Sequence, residues 1–182
     1  MKRNPLALTG ALSVAAAFVA TAAGDPSIDA SKSTITATFK QENVPVDAAF
    51  KSFNGRVDYD PAKPNASKAA IEVATGSFDM GTAEYNAEVK KKAWLDSATY
   101  PKATFISTSV KPGVAGHFDA TGALTLKGKS QTLTVPVTAT QNGNATVFDG
   151  ALVISRAYFG IGDAEWSDVV DDKVRIRFHL VE

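Results

Sequence analysis

The dominant pattern along the chain is an alternation of apolar and polar side chains. A period of two is typical of β-strands that bury one face. Eight segments show this alternation or a continuous apolar run of similar length, and they lie within residues 34–40, 55–59, 70–74, 102–105, 118–126, 132–138, 151–154 and 173–180. The pattern therefore predicts a mainly β chain, and the one-sided apolar faces favour antiparallel pairing.

Residues 82–96 break the alternation, because apolar side chains recur there at every fourth position. This spacing predicts an amphipathic helix that is capped by Gly81 or Thr82 and ends before Pro101. A second, shorter helical turn is predicted over residues 47–53. One or two short helices would then accompany the strands.

Many antiparallel strands with few helices predict either a closed barrel or a sandwich. We expect a single antiparallel barrel, because eight strands close around an interior wide enough for one small ligand. Pro136 lies inside an otherwise regular strand. A proline cannot donate to a ladder, so it predicts a bulge or an edge position there.

The first residues resemble a cleavable export signal. Lys2 and Arg3 precede a small apolar run over residues 6–20, and Ala20-Thr21-Ala22 fits a cleavage site. The run is short for a membrane-spanning helix, which needs about 20 residues; an uncleaved anchor is the alternative. We expect residues 1–22 to be a signal peptide, residues 23–182 to form one domain, and the mature protein to be periplasmic.

Composition and charge remove several classes of function. The 182 residues hold 19 cationic and 19 anionic side chains, so no basic excess points to nucleic acid. The chain has no cysteine, which excludes disulfides, thiolate metal sites and thiol nucleophiles. No sequence motif for a phosphate loop, a dinucleotide fold or a zinc protease occurs.

Six short motifs occur in an order that resembles the YceI-like family of exported lipid-binding proteins. The motifs are FKSFNG (50–55), DYDP (58–61), WLD (94–96), YPKATF (100–105), GALTLKG (122–128) and RAYFGIG (156–162). Together with Trp166 and the last strand, they extend the resemblance from about residue 33 to residue 182. One departure is Asn86, where many members of the family carry an acidic residue.

The resemblance implies a lipocalin-like barrel that holds an isoprenoid lipid, such as the tail of a prenyl quinone, in an apolar lumen. It also implies binding, storage or transport in the periplasm without catalysis and without a cofactor other than the bound lipid or quinone. Because of the departure at Asn86, no charged contact near the helix is inferred.

An isoprenoid tail offers only methyl groups, methylene groups and double bonds, so its recognition needs an apolar tunnel. We expect this tunnel to be lined by the apolar residues of the predicted strands and their flanks. They are Phe39, Phe50, Phe53, Trp94, Phe105, Phe118, Leu133, Val135, Phe148, Phe159, Ile176 and Phe178. The same residues would also fill the solid core of any β-protein, and the sequence does not distinguish a hollow lumen from a filled one.

Two other functions stay open at this point. A small-barrel enzyme, an isomerase or hydrolase of an apolar substrate, would need a polar pair such as His117 with Asp119. A surface interaction module with a filled core would need no lumen at all. The sequence does not distinguish a monomer from a dimer.

Three charged features carry weaker signals. Lys90, Lys91 and Lys92 would suit transient contact with anionic lipid head groups or a solvated helix face. The five acids of residues 163–172 lack the spacing of a calcium loop and indicate a solvated loop. Arg156 ends an apolar strand; if buried, it would need a carboxylate partner, for which Asp96, Asp149 and Asp163 are the candidates, and it would tie a loop to the barrel.

Overall fold

A computed structural model describes residues 27–182, so the predicted signal peptide over residues 1–22 lies outside the described part. Within this part there are ten strands and one α-helix. The strands are β1 (Thr34–Gln41), β2 (Val44–Phe50), β3 (Phe53–Asp58), β4 (Lys68–Ala74), β5 (Phe78–Asp79), β6 (Lys102–Pro112), β7 (His117–Leu126), β8 (Lys129–Asn142), β9 (Ala145–Ser155) and β10 (Lys173–Val181), and the helix is α1 (Ala83–Val89).

Short 3-10 helices cover Pro64–Ala66, Thr75–Ser77 and Ala164–Trp166. Over residues 27–182, no helix has the length and apolar character needed to cross a lipid bilayer.

All ten strands form one antiparallel sheet in the order β3-β4-β6-β7-β8-β9-β10-β1-β2-β5. A two-residue link, Lys51-Ser52, joins β2 to β3, although these strands lie near opposite edges of the sheet. In a flat sheet the eight intervals between them would span about 38 Å, whereas the link reaches at most about 11 Å. The sheet must therefore curl into a half-barrel.

Aromatic contacts across the interior agree with this curvature. The ring of Tyr59, just after β3, stacks on Phe118 of β7 at a centroid distance of 5.7 Å and meets Phe148 of β9 edge-on at 5.5 Å. In a flat sheet these three residues would lie several strands apart. Their contact places one apolar cluster inside the curl.

The structure corrects the predicted eight-stranded closed barrel in two respects. Ten strands are present rather than eight, and the sheet ends in free edges at β3 and β5 instead of closing by a ladder. The predicted helical turn over residues 47–53 is wrong, because residues 44–50 form β2. The strand β5 has only two residues, which is too short for any periodic signal.

A tight hairpin decides the conformation of β2. Glu42 and Asn43 both have positive φ angles, 50° and 65°, as a two-residue turn of type I′ requires. The turn sets the pairing of Ala48 with Ala37 and of Phe50 with Ile35. This cross-strand pairing overrides the weak local preference of the Asp47-Ala48-Ala49 stretch for a helix.

The helix α1 is confirmed but ends earlier than predicted. The Thr82 hydroxyl accepts a hydrogen bond from the Tyr85 backbone N–H, as expected of a helix cap. After Val89 the chain continues in turns up to residue 99. The N–H of Leu95 donates to the carbonyl of Val89, and Leu95 itself is buried in the core, so burial of the WLD motif takes the place of further helical turns.

Pro136 lies beside a gap between β8 and β9, which agrees with the bulge or edge position predicted there. The ladder between β8 and β9 starts at the pair Val137 and Gly150 and runs away from the proline, while Pro136 itself pairs only with β7. The preceding part of β8 and the following part of β9 therefore separate. The loop after β9 covers this gap, because the Tyr158 hydroxyl donates to the Ser130 carbonyl.

Close packing at Gly150 leads to a first prediction. A Cβ placed there would lie 2.3 Å from Cζ of Phe178 and 2.8 Å from the carbonyl oxygen of Pro136. We expect Gly150→Ala to lower the free energy of unfolding by about 1–3 kcal/mol, because the ring and the strand must shift. Chemical denaturation measures this change.

Gly76→Ala is the matched control, since its added Cβ would meet only Ser97 at an ordinary 3.8 Å. We expect no loss there, because the substitution also reduces the entropy of the unfolded chain. Equal losses in both variants would contradict the close-packing argument.

Candidate ligand-binding site

The curled sheet encloses two apolar cavities. The first, here called the mouth cavity, has a volume of about 210 Å³ and lies beneath α1. It is lined by Ala37, Phe39, Gln41, Phe50, Phe78, Met80, Tyr85, Glu88, Val89, Trp94, Leu95, Leu126, Ile154, Arg156, Ile161, Trp166, Val170, Val174 and Ile176. Tyr85 is 53% exposed, so this cavity reaches solvent at the helix.

The second, here called the deep cavity, has a volume of about 150 Å³ and is lined almost wholly by apolar residues. They are Ile35, Val57, Ala69, Ile71, Val73, Ala103, Phe105, Phe118, Ala120, Leu124, Val135, Val137, Phe148, Leu152, Ile176, Phe178 and Leu180, with Thr104. No residue of this lining is classed as exposed. An apolar cavity of roughly this size stays dry and holds a benzene-sized guest.

Ile176 of β10 lines both cavities. Phe50, Leu152 and Ile176 pack against both apolar clusters of the interior. These three side chains, here called the septum, lie where the cavities meet. The two cavities, together called the lumen, thus adjoin at the septum.

Small side chains on the inner face create the open space. Ala69, Ala103 and Ala120 belong to the lining of the deep cavity, and Ala37 belongs to that of the mouth cavity. Larger side chains at these inward positions would fill the interior at normal packing density. The lumen therefore exists because alanine alternates with aromatic residues on the inner face.

Nine of the twelve residues predicted to line a lumen border one of the two cavities. Phe39, Phe50 and Trp94 lie at the mouth cavity, Phe105, Phe118, Val135, Phe148 and Phe178 at the deep cavity, and Ile176 at both. Phe53, Leu133 and Phe159 line neither. Phe53 and Leu133 pack against the buried apolar clusters without bordering a cavity, and Phe159, 1% exposed, is itself a member of one of these clusters.

Sequence reasoning missed most of the mouth. Leu126, Ile154 and Val174 occupy inward positions of predicted strands, so the alternation itself could have identified them. Met80, Val89 and Ile161 stand in turns or on the short helix. Their approach to the lumen depends on chain folding that no local pattern encodes.

Arg156 is 5% exposed and lines the mouth cavity. The predicted carboxylate partner is wrong, because all five of its hydrogen bonds go to backbone carbonyls. Its Nε donates to Val170 and Asp171, Nη1 donates to Ile161 at 2.9 Å, and Nη2 donates to Trp166 and Val170. The guanidinium thereby ties the loop of residues 157–171 to the end of β9, the structural role that its position predicts.

Lys127 fastens the other side of the same wall. Its Nζ donates to the carbonyls of Lys92 at 2.8 Å and Gly160 at 2.6 Å. Partial burial lowers the pKa of this ammonium. Two cations held by carbonyl oxygens thus position Trp94 and Trp166, whose rings lie 5.3 Å apart at the mouth.

Asn86 attaches α1 to β5. Its Oδ1 accepts from the Met80 N–H at 2.7 Å, and its Nδ2 donates to Oδ1 of Asp79 at 2.8 Å. The amide of Asn86, followed by the N–H of Gly81, holds the pKa of the Asp79 carboxyl below its usual value. The amide of Asn86 therefore has a specific carboxylate partner in this chain.

The residues considered for other chemistry lie elsewhere. His117 and Asp119 are both exposed on β7 and line neither cavity, and Nδ1 of His117 is 3.0 Å from the Thr138 hydroxyl. Within residues 27–182, no three His, Asp or Glu side chains are grouped to hold a metal ion. In the acidic loop, Asp172 accepts hydrogen bonds from Ser155 and from the Ala157 N–H.

A half-barrel of antiparallel strands around an apolar lumen defines the structural class of this protein. Comparison with known proteins specifies the family. Residues 27–181 match the YceI-like domain, and the chain therefore belongs to the YceI-like family. A UPF0312 protein of Pseudomonas savastanoi pv. phaseolicola is 33% identical over 133 residues, which cover 69% of each chain.

Two solved structures are similar over most of the described residues. Burkholderia cenocepacia BcnA is 45% identical, with a TM-score of 0.83 over 85% of this chain and 99% of its own. A polyisoprenoid binding domain from Saccharophagus degradans shares the fold at 18% identity, with a TM-score of 0.69 over 85% of this chain and 95% of its own. The expected YceI-like family is thus confirmed.

The Arg156 network leads to a second prediction. We expect Arg156→Ala to lower the free energy of unfolding by about 3 kcal/mol or more, because several buried carbonyls lose a charged donor. Arg156→Lys should restore only part of this loss, since an ammonium lacks the planar fork of donors. Urea denaturation measures all variants.

The control is Arg175→Ala on the exposed face of β10, where we expect a change within about 0.5 kcal/mol. If Arg156→Ala cost no more than this control, the carbonyl cage would not be holding the loop.

The attachment of α1 leads to a third prediction. Asn86→Asp replaces the amide donor with a second carboxylate beside Asp79, so we expect the pKa of Asp79 to rise and the backbone amides of α1 to exchange faster with solvent. In the unchanged protein the depressed pKa of Asp79 stabilises the fold above pH 4. This contribution is lost as the pH falls through that pKa.

NMR titration of the carboxyl carbon and hydrogen exchange measure the two effects. Asn54→Asp is the matched control, because Nδ2 of Asn54 also faces a carboxylate, Glu72 at 3.4 Å, but on the strands β3 and β4. Faster exchange of α1 in the control as well would contradict a local attachment.

Proposed function

We propose that this protein is a non-enzymatic periplasmic binding protein that holds the tail of an isoprenoid lipid in its lumen. The observation that carries the proposal is the pair of apolar cavities inside the curled sheet. A tail of methyl groups, methylene groups and double bonds fits walls of this chemistry without needing polar contacts. The prenyl tail of a quinone is the same kind of guest.

The apolar linings make such binding favourable in energy. Burial contributes roughly 0.8 kcal/mol per methylene, so each prenyl unit gains on the order of 3 kcal/mol before the tail loses its freedom. Ordering a flexible chain opposes this gain. Affinity therefore depends on how many units reach the enclosed space.

The similarity to the Saccharophagus degradans domain supports the same ligand class, since that protein is a polyisoprenoid binding domain. At 18% identity the likeness concerns the fold alone. Support for an isoprenoid ligand of this protein therefore comes mainly from its own two cavities.

The export signal predicted from the sequence supports storage or transport of the lipid in the periplasm. A loaded carrier must approach a membrane to exchange its cargo. Tyr85 and Val44, 53% and 62% exposed, stand near the mouth, and Lys90 to Lys92 follow α1 directly with exposed side chains. Apolar side chains beside lysines suit transient contact with a lipid surface.

The other two functions receive less support. An interaction module with a filled core does not account for the cavities. The polar pair considered for an enzyme of an apolar substrate, His117 with Asp119, lies outside both linings.

Binding can be tested with the protein's own tryptophans. The sequence has two, Trp94 and Trp166, and both line the mouth cavity. We expect a ubiquinone with two prenyl units to quench their fluorescence in a saturable way with one site per chain, because its quinone ring would lie near them. Mass spectrometry of lipid extracted from natively purified protein should recover a prenyl lipid in stoichiometric amount.

Free benzoquinone at the same concentration controls for collisional quenching, which does not saturate. If neither a prenyl lipid nor saturable quenching is found, the proposed function is wrong.

A further inference from the structure

We infer that the septum of Phe50, Leu152 and Ile176 makes this protein selective for the length of the isoprenoid chain. A short tail occupies the mouth cavity alone, and a longer tail must pass the septum and end in the deep cavity. The inference rests on the proposed function and specifies the substrate class of the same site.

The septum separates the mouth cavity from the deep cavity. Ile176 borders both cavities, and it pairs with Ala37 of β1 and Leu152 of β9 in the ladder. Phe50 contacts Phe78 at a centroid distance of 4.8 Å on the mouth side. A tail that enters the deep cavity therefore has to displace side chains that now touch both clusters.

The volume of the mouth cavity limits the length of isoprenoid chain that it can hold. Since roughly 150 Å³ holds a six-carbon ring, the mouth cavity of about 210 Å³ accommodates roughly eight carbons by the same proportion. Two prenyl units, which have ten carbons, fill it with the polar end at the rim, and a third unit needs the deep cavity. The two cavities together hold roughly fourteen carbons by the same proportion, close to the fifteen of three units.

The first described residues cross the far end of the lumen. The N–H of Ile28 donates to the carbonyl of Gly55 on the edge strand β3, and the N–H of Asp29 donates to the carbonyl of Val181 at the end of β10. Ile28 is itself buried in the cluster that surrounds the deep cavity. We therefore expect a tail to enter from the mouth and to end in the deep cavity against this segment.

The test compares geraniol, with two prenyl units, and farnesol, with three, by the tryptophan fluorescence of the mouth. We expect the unchanged protein to bind the longer alcohol at least tenfold more tightly. Ala120→Leu fills the deep cavity, so the longer alcohol should lose this advantage, while the affinity for geraniol stays within twofold. Ala69→Leu fills the same cavity from β4 and should have the same effect.

Ala123→Leu is the matched control, because the same substitution on the same strand lies on the outer face of β7. It should preserve both affinities. Circular dichroism and thermal unfolding show whether each variant is folded, and the second deep-cavity variant stands in if the first is not.

The septum itself is tested by Leu152→Ala, because Leu152 borders the deep cavity and not the mouth cavity. Farnesol should associate severalfold faster with this variant, while geraniol associates at its usual rate. An equal effect on both alcohols, or none, argues against a septum.

The outcomes separate the two proposals. If both alcohols bind the unchanged protein without a length advantage, or if the deep-cavity variants weaken both equally, length selection is wrong and prenyl binding stands. If neither alcohol binds, both proposals fail.

Discussion

The link Lys51-Ser52 is the constraint on which the rest of the structure depends. Two residues must connect strands that are eight intervals apart in a single sheet, and this is geometrically feasible only when the sheet curls. The curl turns the alternating apolar positions of the strands toward one another. It thereby produces an interior that no strand has by itself, and the aromatic contacts of Tyr59 lie across it.

Whether that interior is solid or hollow is decided by residue size. Alanines at inward positions of β1, β4, β6 and β7 leave room between the aromatic side chains. Such voids reduce packing contacts and so reduce stability. The loss is offset where the chain is closely packed, as at Gly150 against Phe178, and where Arg156 and Lys127 hold loops through their carbonyls. The residues around the two cavities are thus held in place, while the cavities themselves stay open.

Some residues of the candidate site could be placed from local sequence patterns, whereas others depend on contacts between distant segments. Residues on regular strands, such as Phe105, Phe118 and Phe178, could be placed at a lumen because alternation alone assigns their face. Phe159 is equally apolar, but it lies in a loop that covers the gap beside Pro136, where no alternation assigns its face. The partner of Arg156 could not be identified either, because backbone carbonyls carry no signal in a sequence.

The sequence by itself determined the class of fold, the faces of the strands, a helix cap at Gly81 or Thr82 and the family, because period-two alternation, capping chemistry and ordered motifs are local properties. Tertiary structure alone decided that residues 44–50 are a strand, that β5 exists, that the sheet stays open, and that Ile176 borders both cavities. Each of these depends on pairing or packing between segments far apart in the chain. Such contacts are set by the curl and by the volumes that meet inside it.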